Sequence, residues 1–117
     1  MVDAVLIASN GESIRVEALA DTGADFCLFP LYSARMLGLN LATLATSTST
    51  GVGSAANLTY FDTLKIDLGN GVIFQTRVGF TEGMDQAGFG LLGQQGFFEN
   101  YEVKFRHRAK VFVIEPS

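Results

Sequence analysis

A single cysteine, a single histidine and a shortage of charge mark this sequence. With Cys27 as the sole thiol, no disulfide can close within the chain, and nothing implies an oxidising compartment. Cys27 and His107 cannot build a tetrahedral zinc site without carboxylates, and no metal-ligand spacing is present. They also make a poor thiol–imidazole pair. Cys27 sits in the apolar run Phe26-Cys27-Leu28-Phe29, which suits an inert core thiol, and His107 stands between Arg106 and Arg108. No metal or other cofactor is expected.

Charged residues are only 17% of the 117, with 8 Lys+Arg against 12 Asp+Glu and a net charge of −4. An acidic chain with scattered basic residues is not a nucleic-acid binder, because phosphate contacts need clustered cations. The one basic run, Lys104, Arg106, Arg108 and Lys110, alternates with other residues as the solvent side of a terminal hairpin would. Low charge also predicts that some apolar surface is covered by another chain. Long apolar runs are missing too. Ala4 to Ala8 is too short for a membrane span or a signal-peptide core. The expectation is a cytoplasmic protein, or a soluble domain of a larger chain, with no membrane partner. Asn57-Leu58-Thr59 matches a glycosylation triplet, but without a secretory signal it is only a piece of loop or strand.

What is present is a hydrophobic content of 48%, enough for one core and incompatible with disorder, at a length that fits one domain over residues 1–117. Most of it reads as short strands. Val5–Ser9 and Ile14–Ala20 flank Asn10-Gly11, a strong hairpin signal, and Ile14, Val16, Ala18 and Ala20 keep a period of two. Phe26–Phe29 reads as a buried strand. A helix is expected over Pro30–Leu39, with Leu31, Ala34 and Leu37 on one face and Gly38 as its stop. The Ser, Thr and Gly of residues 43–57 predict a long hairpin with a glycine-rich tip at Gly51-Val52-Gly53. Leu58–Leu68 and Val72–Phe80 are further strands around Gly69-Asn70-Gly71. Gln94–Asn100 has room for one or two helical turns, and Tyr101–Ile114 for a closing hairpin. The fold class is mostly β, with one or two short helices.

Two glycine patterns are decoys. Gly88-Phe89-Gly90-Leu91-Leu92-Gly93 spells GxGxxG, but a dinucleotide site needs a strand before it and a sustained helix after it, and Gly96 interrupts any such helix. Gly51-Val52-Gly53-Ser54-Ala55-Ala56 lies between strand-like segments instead.

The constellation that survives is Asp21-Thr22-Gly23. It follows the apolar segment Val16–Ala20 and precedes Ala24 and the strand at Phe26, so an aspartate stands at a strand end, in a tight loop, facing a low-dielectric surround. Leu91-Leu92-Gly93 offers a second apolar pair ending in glycine. This arrangement resembles the retropepsin-like aspartic proteases, the single-domain, dimeric relatives of pepsin, and more their bacterial and cellular members than the viral ones. Ala18 to Asp25 is similar to their catalytic loop, Gly51-Val52-Gly53 to their flap tip, Phe61 to Ile66 to the strand returning from the flap, and Gly90 to Gly93 to their apolar-apolar-glycine element.

The resemblance implies a closed β-barrel and endopeptidase activity on extended apolar polypeptide, in a homodimer that pairs one Asp21 from each chain. It assigns catalysis to Asp21, Thr22 and Gly23. Ala24, Asp25, Gly51, Val52 and Gly53 fall to substrate binding, and Leu91, Leu92 and Gly93 to structural support. The chemistry fits: peptide hydrolysis without a nucleophilic side chain needs one group to take a proton from water and another to give one, and two close carboxylates sharing a proton do both. One departure is plain. Many relatives carry Arg after that glycine, pairing with the acid beyond the catalytic loop, whereas Gln94 and Gln95 stand here. The alternatives are an inactive domain of the same fold used for dimerisation or peptide binding, an ordinary Asp-Thr-Gly turn, and a small ligand-binding barrel.

Overall fold

The computed structural model describes residues 1–50, 56–106 and 111–117. Nine strands are described: β1 Val2–Ile7, β2 Ser13–Ala20, β3 Cys27–Pro30, β4 Ala45–Thr50, β5 Ala56–Gly69, β6 Val72–Thr81, β7 Gly90–Leu92, β8 Tyr101–Arg106 and β9 Val111–Pro116. One α-helix, α1 Leu31–Met36, and 3₁₀ turns at Leu41–Thr43 and Glu82–Met84 complete the set. The strands run in the order β1-β2-β7-β3-β6-β5-β4, and β1 also pairs with β5. That extra pairing closes β1, β2, β7, β3, β6 and β5 into a barrel, removing the open edges that a sheet would otherwise expose. β4 extends from β5 outside the ring, and β8–β9 form a separate two-stranded sheet.

Alternation fills the barrel. Ala4 and Leu6 of β1, Leu64 and Ile66 of β5, Val78 and Phe80 of β6, and Cys27 and Phe29 of β3 point into one buried cluster. Leu31, Ala34 and Leu37 dock the helical stretch onto it, as their three-residue spacing predicts. The helix itself is shorter than Pro30–Leu39. Pro30 ends β3 with φ −57° and ψ 144°, so the first turn starts at Leu31. Gly38, at φ +72°, stops it in the left-handed region.

Two turns differ from the sequence expectation. β1 and β2 pair as far as Ile7↔Ser13, so Asn10-Gly11 lies inside a longer loop rather than forming a two-residue turn. Asn10 serves both the loop and the helix: its Oδ1 accepts from the Glu12 amide (2.8 Å), and its Nδ2 donates to the Leu37 carbonyl (3.0 Å), tying this loop to the end of α1. Asn70 and Gly71, at φ +52° and +82°, make the tight two-residue turn instead. Residues 94–100 form hydrogen-bonded turns, not an α-helix. Phe98 and Glu99 donate backbone bonds to Gly93 and Gln94, five residues back, and Gly96 sits at φ +92°, outside helical geometry.

Candidate active site

The site begins where β2 runs out. Parallel pairing carries Ala18, Leu19 and Ala20 alongside Gly90, Leu91 and Leu92. The Asp21 amide then makes one last bond to the Leu92 carbonyl (3.0 Å), and the chain leaves the sheet. The Ala24 amide closes the turn onto the Asp21 carbonyl at 3.1 Å. The Gly23 amide donates to Asp21 Oδ1 at 2.8 Å, fixing the carboxylate over its own turn. A Cβ on Gly23 would stand 3.2 Å from that oxygen, so glycine keeps the approach open.

The far side of the loop is clamped by backbone. The Gln94 amide donates to the Ala24 carbonyl (2.8 Å) and the Gln95 amide to the Asp25 carbonyl (2.9 Å). Gly93 makes this contact possible, because a Cβ there would run into the carbonyl oxygens of Phe26 and Ala24. One side chain joins in: Gln94 Nε2 donates to the Thr22 carbonyl at 2.9 Å. Asp21, Thr22, Gly23, Ala24 and Asp25 are thus gathered against Leu92, Gly93 and Gln94. Gly51, Val52 and Gly53 lie outside the described residues. The strands that lead to them, β4 and β5, pair from Ala45↔Phe61 to Thr50↔Ala56.

Asp21 is only half-buried, and Thr22, Gly23 and Asp25 are exposed. The expected low-dielectric surround is therefore not supplied within one chain. Among the described residues, the hydrogen bonds that hold the turn from outside come from the backbone of Leu92, Gln94 and Gln95 and from the Gln94 side chain. Cys27 behaves as the apolar setting predicts. It is fully buried, burial pushes its thiol above the ordinary range, and its Sγ lies 3.8 Å from the Gln95 carbonyl oxygen.

Leu91 and Leu92 divide their work. Leu92 is buried in the barrel, whereas Leu91 is partly exposed on the opposite face. There it pairs with Leu19 on β2 and Leu28 on β3, and paired residues share a face. An apolar row therefore runs across three strands beside the Asp21 loop. It continues onto Phe26, whose ring meets Phe61 edge-on at 5.1 Å, and Arg77 lies 4.0 Å above the Phe61 ring. Gly79 leaves room for this row, since a Cβ there would come within 3.0 Å of the Leu28 and Phe26 side chains. Leu19 and Leu28 were not singled out from the sequence, and Gln94 was marked only as a departure, with no role assigned to it. The two leucines were legible as the outward partners of buried Ala18, Cys27 and Phe29 in a period of two. Gln94 carried no signal beyond the absence of Arg.

A strand-end Asp-Thr-Gly turn, clamped by an apolar-apolar-glycine segment in a closed barrel, defines the aspartic-protease class of site. The comparisons agree. A family model described as aspartyl protease matches residues 5–95, most of the chain, and the chain belongs to that family. The fold is that of the retropepsin-like members: a retropepsin-like aspartic protease from Rickettsia conorii matches with TM-score 0.65 at 21% identity, covering 97% of this chain and 87% of that one. No curated protein matches the chain significantly. Among the described residues no helix is long and apolar enough to cross a membrane.

Proposed function

We propose that residues 1–117 form one retropepsin-like domain that acts as an aspartic endopeptidase, cutting peptide bonds in extended apolar segments as a homodimer. The observation that carries this is the Asp21 turn: a carboxylate held by the Gly23 amide at 2.8 Å and left open at the barrel rim. The chain has one Asp-Thr-Gly, so the second carboxylate comes from a second copy across a two-fold axis. Two such carboxylates share one proton.

In the reaction, the ionised carboxylate takes a proton from water as its oxygen attacks the peptide carbonyl carbon. The protonated partner gives its proton to the carbonyl oxygen, forming a tetrahedral gem-diol. In breakdown the protonated carboxyl gives its proton to the leaving amine as the C–N bond breaks, the other carboxylate takes one from a gem-diol hydroxyl as the carbonyl re-forms, and the pair again holds a single proton. Thr22 links the two loops through its hydroxyl. Ala24 and Asp25, with Gly51, Val52 and Gly53, bind the extended backbone, and the row Leu19, Leu91 and Leu28 favours apolar side chains.

The dimer reading draws on a further feature. An apolar cavity of about 290 Å³ opens beside the loop, lined by Leu19, Ala20, Leu92, Phe98 and Val103 among others. Its rim includes Met1, 64% exposed, Leu19, 42%, and Phe112, 70%. Apolar surface of this kind, on a chain with few charges, suits a partner copy.

Asp21→Asn tests the proposal. It is expected to lower cleavage of unfolded apolar peptides by about 10²–10⁴-fold or more, with the dimer intact by sedimentation. Wild-type cleavage in this variant overturns the mechanism. Activity from a species that sediments only as monomer overturns the dimer. Dimerisation and peptide binding with no turnover from acidic to neutral pH selects the inactive module instead.

A further inference from the structure

We propose that Gln94 is a positioning residue, a neutral latch whose side-chain amide holds the catalytic turn in place at any pH where the protein is folded; this rests on the protease reading above. The argument starts from the turn's own bonds. Residues 21–24 close on themselves through Ala24 to the Asp21 carbonyl and Gly23 to the Asp21 carboxylate. Neither bond reaches the Thr22 carbonyl, which lies at the crest of the turn. Gln94 Nε2 fills that place at 2.9 Å, from 72 residues away. Among the described residues it is the one side chain from outside the turn that hydrogen-bonds to residues 21–24.

Its reach is set by backbone. Gly93 lies against the Ala24 and Phe26 carbonyls, and the Gln94 amide donates to the Ala24 carbonyl at 2.8 Å. The Gln94 Cα is thus fixed, and its side chain has one short span to cross. Thr22 is held between this amide and its own neighbours, one residue from Asp21. A shift of the Thr22 peptide would swing the carboxylate that the next amide, Gly23, holds.

The chemical type of the latch matters. A carboxamide donates a hydrogen bond without titrating. A glutamate in its place would donate only while protonated; once ionised it offers no donor and sets negative charge against a carbonyl oxygen. A site whose own chemistry depends on a shared proton therefore keeps its support independent of pH.

The experiment uses the full chain at dimer-forming concentration, with Gln94→Glu and Gln94→Met compared with wild type. Two readouts run in parallel from acidic to neutral pH: kcat and KM on an apolar peptide, and amide exchange of residues 22–24. For Gln94→Met, kcat is expected to fall about tenfold with little change in KM, and the turn to exchange faster by a similar factor, both at every pH. For Gln94→Glu, both readouts should match wild type at low pH and diverge from it as pH rises through the ordinary glutamate range, roughly 4–5. A pH-independent ratio of Gln94→Glu to wild type overturns the latch, as does unchanged exchange in both variants. If Gln94→Met fails to fold, the near-isosteric Gln94→Glu decides alone. If the wild type cleaves nothing, the protease reading falls, and amide exchange still decides whether Gln94 holds the turn.

Discussion

The barrel and the terminal hairpin of this chain are held together by different physics. In the barrel, close approach does the work: Gly79, Gly90 and Gly93 stand where a Cβ would strike a neighbour, and buried Leu, Ile and Phe fill the space between strands. The hairpin β8–β9 has its own ladder from Tyr101↔Pro116 to Arg106↔Val111 and, among the described residues, pairs with no barrel strand. Its charges meet at the surface, where Glu115 takes Lys104 at 3.0 Å and Arg106 at 3.4 Å. The turn at residues 96–101 joins the two. Phe97 is fully buried, packs edge-on against Phe98 at 4.8 Å and stacks on Tyr101 at 5.8 Å, with Phe74 of β6 at 6.1 Å. One region is therefore specified by shape and the other by contacts at its root and charge at its edges. The Asp21 turn belongs to the first, and the exposed apolar residues Leu19 and Phe112 lie one in each.

Phe97→Ala breaks the joint and carries the largest expected effect. Removing a fully buried ring should cost about 3–5 kcal/mol, read as a lower denaturation midpoint, with the hairpin losing amide protection before the barrel. Equal loss in both regions would show that they are one cooperative unit. Gly93→Ala tests the shape-specified region alone. The added methyl meets the carbonyl oxygens of Phe26 and Ala24, which are backbone and cannot rotate away. Roughly 1–3 kcal/mol of destabilisation is expected, together with loss of the Gln94 and Gln95 contacts to the turn. Stability and cleavage both at wild-type level would mean that the clamp is less tight than the distances imply.

How far these regions could be read in advance follows the same division. Alternation in Ile14–Ala20 and the docking face Leu31, Ala34 and Leu37 were legible because burial imposes a period. The Asp21 turn was legible as residue types that the chemistry uses, and Gly90–Gly93 through its resemblance to the family's apolar-apolar-glycine element. Barrel closure was expected only through the family resemblance, since β1 meets β5 through Leu6↔Ile66 across some 60 residues, and no local pattern records such a pairing. Asn10-Gly11 misled because Asn10 accepts the Glu12 amide within a wider loop and donates to Leu37, so the strands part at Ile7 and Ser13. Residues 94–100 misled because helical composition yields to Gly96, pressed against Thr76 at a positive φ. Gln94 was visible only as a missing Arg, and its bond to Thr22 depends on where Gly93 places the backbone.

The smallest effect sharpens the contrast from the hairpin side. The hydrogen bond from Lys104 and then its charge, with Arg106 adding to both, hold the Glu115 carboxyl below the ordinary glutamate range. A carboxyl with a depressed folded value contributes stability above its unfolded value and loses it as pH falls through the folded one. The hairpin should therefore loosen only below the ordinary glutamate range, and only slightly, because these side chains are largely in water and screened by salt. Protection factors in β8 and β9 should fall modestly toward pH 3, while core barrel amides such as Leu64 and Val78 hold. Glu115→Gln or high salt should flatten that dependence, since each removes the attraction that the proton would otherwise cancel. If the acid loosening survives in Glu115→Gln, charge is not what holds this edge, and the hairpin depends, like the barrel, on apolar contact at its root.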